Sequence, residues 1–165
     1  MNISVNAEER KNKLKSLLEK QKQKAIEDDK KAEISLLMEP FSNKSDLEVV
    51  DLEELLKVKN EFSQSFPIEF WASRIHWEKV DKKIELPVND YNKIELILKD
   101  QGLLADIPVY FFFSDNAYWL KTDIKNILKN LEDIAWYRGD RYVFSNNPKF
   151  VIEFFHDDLI TIGWH

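Results

Sequence analysis

The stretch that most restricts the fold is the end of the chain. Four short apolar runs, "IAWY" (134–137), "RYVFS" (141–145), "KFVIEFF" (149–155) and "LITIGW" (159–164), are separated by "RGD", "NNP" and "HDD". Runs this short, rich in β-branched and aromatic residues and punctuated by turn formers, predict strands joined by tight turns. The expected element is a four-stranded antiparallel meander, with Arg138-Gly139-Asp140 and His156-Asp157-Asp158 as hairpin tips. Alternation along 149–155 puts Phe150, Ile152 and Phe154 on one face and Val151, Glu153 and Phe155 on the other. Glu153 therefore interrupts an apolar face. If that face is covered, Glu153 needs a partner, for which Arg141 and Arg138 are the expected cations.

Upstream, residues 7–34 contain no Gly or Pro and are rich in helix formers. Leu14, Leu17 and Leu18 make a short stripe that then fades, so a long solvated helix is predicted and a coiled coil is not. Pro40 and "FSNKS" mark a connection, giving an N-terminal helical extension (1–45) and a globular domain (46–165). Asp51 and Glu54 form a capping pair for a helix at 51–63, with Leu52, Leu55, Leu56 and Phe62 as its apolar face. Residues 68–77 are ambiguous, with strand favoured around 74–78, and "KKIELP" reads as a short partner strand. Tyr91, Ile94, Ile97 and Leu98 define a helix at 90–101 stopped by Gly102. "IPVYFFF" (107–113) suits a strand covered on both faces. Ile124, Ile127, Leu128 and Leu131 define a helix at 122–132. The class is α+β, an antiparallel sheet of about five or six strands with helices packed on it.

The chain has no cysteine, which excludes disulfides, thiolate metal sites and cysteine nucleophiles. Three isolated glycines cannot build a phosphate loop, and no G-x-S-x-G is present. No apolar run fits a signal peptide or a membrane span, so a cytoplasmic protein is expected. The net charge of −6 is uneven: residues 1–45 hold ten Lys/Arg and eight Asp/Glu, residues 46–165 fourteen and twenty-two. An acidic domain repels a phosphate backbone and steers a basic protein toward itself.

Among candidate sites, the 156–158 island is first a turn, because Asp satisfies its own backbone there. Its other reading is a metal or acid–base cluster with Glu153, whose pKa burial would raise. His76, between Ile75 and Trp77, is a core or rim residue. Tyr118 and Trp119, after the polar "SDN", are the best candidates for exposed interface anchors; the plainer reading of the aromatics is core. No cofactor or metal is expected.

The last third, "DIAWYRGDRYVFSNNPKFVIEFFHDDLITIGW", resembles the C-terminal sheet of small bacterial toxin-immunity proteins of contact-dependent or polymorphic toxin systems. The resemblance implies a cytoplasmic antitoxin that blocks its toxin by direct binding and brings no catalytic residues. With the acidic balance after residue 45 and the lack of a catalytic motif, the expected protein is non-enzymatic and occludes the active site of a cognate toxin. Acidic loop residues Asp115, Asp140, Asp157 and Asp158 would face the toxin's Lys/Arg, with Tyr118 and Trp119 as anchors. Two other readings stay open: a small metal-dependent hydrolase using Glu153, His156, Asp157 and Asp158, and an adaptor working through its N-terminal helix.

Overall fold

The structure, a computed structural model, describes residues 3–69 and 74–165. The chain divides into two compact units, residues 1–36 and 37–165. The first is almost all of helix α1 (Ile3–Met38). Its Leu14, Leu17, Leu18 and Ile26 are exposed. Helix propensity and surface pairs such as Lys31–Glu27 (3.1 Å) support it, each pair contributing only about 0.3–0.5 kcal/mol. The sequence places the domain boundary after residue 45. In the structure Leu37 and Phe41 already lie in the core of the second unit.

The second unit carries β1 (Glu48–Val49), α2 (Leu52–Ser65), β2 (Ile68–Glu69), β3 (Arg74–Ile75) and, after a 3₁₀ turn at Trp77–Lys79, β4 (Lys82–Pro87). A second 3₁₀ segment (Val88–Lys93) leads into α3 (Ile94–Asp100). Then come β5 (Pro108–Phe113), β6 (Leu120–Asp123), α4 (Ile124–Lys129), α5 (Leu131–Trp136), β7 (Arg141–Asn146), β8 (Lys149–Phe155) and β9 (Leu159–Trp164). Among the described residues the main sheet has seven strands, ordered β1-β6-β5-β7-β8-β9-β4 and antiparallel throughout; β2 and β3 pair separately.

The α+β class and the C-terminal strands are as the sequence predicts, with one correction. Residues 134–136 close helix α5 instead of forming a strand, so the meander has three consecutive strands and β4 pairs on its far side. Leu131, Ile134 and Ala135 are buried at i, i+3 and i+4, which outweighs the strand propensity of "IAWY". Arg138-Gly139-Asp140 is thus a helix-to-strand connection, with Gly139 at φ 77°, and not a hairpin tip. The ambiguous 68–77 segment divides into β2, β3 and the start of the 3₁₀ turn; its residues 70–73 lie outside the described residues.

Local chemistry accounts for the helix ends. Asp51 accepts the amide of Glu54 (2.9 Å) at the start of α2, and Asp123 that of Asn126 (2.7 Å) at the start of α4. Gly102, at φ 67°, ends α3 in the left-handed conformation. On α2 the buried stripe is Leu55, Val58 and Phe62. Leu52 and Leu56, expected inside, face solvent.

The sheet is covered on both faces. One face packs Val143, Ile152, Phe154, Ile160 and Ile162 against α3, α4, α5, Leu37 and Phe41. The other packs Phe112, Tyr142, Phe144 and Val151 against α2, Ile75, Trp77 and Val80. Phe62 is the hub of the second core. Its ring meets Phe112, Trp119, Tyr142 and Phe144 edge-on at 5.2–6.1 Å. Gly163 lets Trp77 lie against β9: a Cβ there would sit 2.4 Å from the Trp77 ring.

Candidate functional site

Glu153 is fully buried on the α2-side face. Its carboxylate accepts Arg74 Nε (3.0 Å), the Ile75 amide (3.0 Å) and Trp77 Nε1 (2.8 Å). Burial pushes this carboxyl above its ordinary value, and the three donors oppose that shift. The expected partners, Arg141 and Arg138, do not bind it. Arg141 is buried and serves the backbone, donating to the carbonyls of Ala135 (2.8 Å), Tyr137 and Gly139. It thereby satisfies orphan carbonyls at the end of α5. Arg141 meets no carboxylate in these bonds, and burial lowers its pKa to about 10. Glu153 anchors residues 74–77 to the sheet; its oxygens are occupied by protein donors.

His156-Asp157-Asp158 is the β8–β9 turn. Phe155 pairs with Leu159 across three loop residues, and Asp158 takes φ 59°, the left-handed position such loops require. Asp158 also accepts the Val88 amide through its carbonyl (2.8 Å). The turn is tied sideways by Asp140, whose Oδ1 meets the His156 amide (2.9 Å) and Nδ1 (2.8 Å). Asp140 in turn accepts the Ser114 amide at its carbonyl (3.1 Å). The hydrogen bond to Asp140 raises the His156 pKa above 6.5, helped by the Asp140 and Asp157 charges and opposed by desolvation and Arg74.

These bonds bring most of the predicted partner-binding residues to one end of the sheet. Asp115 follows β5, Asp140 precedes β7, and Asp157 and Asp158 join β8 to β9. Asp115, Asp157 and Asp158 are exposed. Asp140 is not: only 10% of its side chain is accessible, and it supports the loops from beneath. Tyr118 is half-buried. Trp119 is 4% exposed and stacks on Phe112 at 3.7 Å, so its ring belongs to the core and not to the surface.

An exposed aromatic at this end is one that sequence reasoning missed. Trp136, 52% accessible, closes α5. Tyr137, next in the chain, stacks on Phe113, the last residue before the loop bearing Asp115. Assigning 134–137 to a strand hid Trp136. Continuing the helical stripe through Leu131, Ile134 and Ala135 would have placed it outside.

Glu153, engaged from one face of the sheet, does not join His156, Asp157 and Asp158 in a shared site. Among the described residues no three His, Asp or Glu side chains are grouped to hold a metal ion. No described helix is long and apolar enough to cross a membrane.

The class these features define is an α+β domain with a loop-built acidic end. The sequence model for the CdiI immunity protein EcoliA0-like family matches residues 34–163. The chain belongs to that family, and its role is that of an immunity protein, an antitoxin of bacterial competition. No curated protein matches the sequence.

Proposed function

We propose that the chain is a non-enzymatic, cytoplasmic immunity protein that binds a basic cognate toxin through the acidic end of its sheet and covers the toxin's active site. The observation that carries this reading is the meeting of Asp115, Asp157 and Asp158 at one end, held by Asp140. Carboxylates gathered on loops held this way complement the Lys/Arg of a toxin and accelerate its capture. Tyr118 lies in the same loop as Asp115 and lines the margin. Neither nucleic acid nor a membrane is a partner in this reading, and no cofactor is needed.

The test is growth protection. Cells expressing the toxin domain encoded by the adjacent upstream gene should survive when this chain is co-expressed. Protection should weaken for the combined Asp115→Asn, Asp157→Asn and Asp158→Asn variant. Full protection by that variant would move the interface elsewhere on the domain. The adaptor reading rests on helix α1, most of which precedes the matched span; a chain lacking residues 1–36 that protects equally well would dispose of it.

A further inference from the structure

Beside the acidic end lies a groove of about 400 Å³ whose walls include Glu39, Pro40, Ser42, Asp133, Trp136 and Tyr137. We infer that this groove is a receptor for an arginine side chain of the partner, the guanidinium lying on the Trp136 indole and bonding to Asp133 and Glu39. The inference deepens the proposed toxin-binding reading, on which it rests for the identity of the partner.

Three observations support it. First, Trp136 is exposed on a helix end whose backbone is tied down. The carbonyls of Ala135, Tyr137 and Gly139 are fastened by the buried Arg141, and Ile134 and Ala135 are in the core. A rigid aromatic left half in water is the kind of residue that dominates interfaces. Second, the opposite wall is equally fixed. Asn130 Oδ1 accepts both the amide and the hydroxyl of Ser42 (2.9 Å each), Phe41 packs edge-on against Phe111, and Tyr137 donates its hydroxyl to Glu39. A preorganised site loses little entropy on binding. Third, the charged residues of the groove's own walls are acidic, with Arg138 lying just beyond Tyr137. Asp133 and Glu132 lie three and four residues before Trp136, on its side of α5, and both are exposed. Neither forms an ion pair among the described residues. Glu39 meets a neutral phenol, so its charge is not cancelled.

An apolar ligand would leave these carboxylates desolvated without a partner, and an anion would be repelled. Lysine would offer a point charge. The planar guanidinium alone both stacks on an indole and presents paired N–H donors to a carboxylate.

The experiment uses the full chain with its indole N–H groups observed by NMR, Trp136 being assigned from Trp136→Phe. N-acetyl-arginine methylamide should shift the Trp136 signal saturably in the millimolar range. The lysine analogue should do so several-fold more weakly, and the uncharged citrulline analogue should not. Asp133→Asn should remove most of the arginine effect. No saturable shift, or an equal shift with citrulline, overturns the site whatever the toxin does. In complex with the toxin domain, Trp136→Ala should weaken Kd by about 30-fold, as expected of an interface anchor. A wild-type complex indifferent to Trp136→Ala and Asp133→Asn also overturns the inference. A saturable arginine shift with no toxin complex keeps the guanidinium site and overturns the proposed toxin-binding reading instead.

Discussion

Replacing Glu153 tests how residues 74–77 are held to the sheet. Glu153→Ala strands three donors at once. Trp77 Nε1 and the Ile75 amide belong to buried residues, and each left without an acceptor costs about 1–3 kcal/mol. Arg74 keeps a quarter of its side chain accessible and can turn to water, so its share is smaller. The expected loss is about 3–5 kcal/mol, the range for breaking a buried charged pair. Glu153→Gln keeps one acceptor oxygen but turns an amide NH₂ toward a donor, and should cost about 1–3 kcal/mol. Urea unfolding at pH 7 of the wild type and both variants measures these differences through the midpoint at constant m. Hydrogen exchange localises them, since the Ile75 amide should lose protection before the amides of β8. A Glu153→Ala loss below about 1 kcal/mol, with Ile75 still protected, would refute the view that this carboxylate anchors residues 74–77.

Gly163→Ala should destabilise by about 1–3 kcal/mol, because the new methyl meets the Trp77 ring at 2.4 Å and Val80 at 3.1 Å; thermal unfolding checks it, and an unchanged Tm would contradict the close packing. His156 should titrate above 6.5 in an NMR pH series, and Asp140→Asn should bring it back toward 6.5. The His156 contribution to stability is full below 6.5 and fades as pH rises through the raised folded value, a slope that Asp140→Asn should reduce, the Asp157 charge remaining.

Much of the fold was legible because its signals are local. The strands from Arg141 to Trp164 show alternation, turn residues at each junction and no competing helical period. The alternation also set Glu153 apart on an otherwise apolar face, and the structure shows that face covered. Its partners were not legible: Arg74, Ile75 and Trp77 lie 79, 78 and 76 residues away in sequence, and no periodicity reports such pairings. Arg141, the cation nearest in register, was already committed to the end of α5. Trp119 misled because a polar loop precedes it, while its stacking on Phe112 is set by the β5–β6 hairpin. The acidic end was legible residue by residue but not as a surface. Only the bonds through Asp140 reveal that three separate loops share it.

The central claim is that this end of the sheet captures a toxin by charge. The most direct test is calorimetric titration of the full chain with the adjacent toxin domain at low and high ionic strength. The account predicts a complex tighter than about 1 μM. Its affinity should fall as salt rises, and should fall at low salt when Asp115, Asp157 and Asp158 are all changed to Asn. No detectable binding, or a tight complex insensitive both to salt and to those three changes, would contradict it.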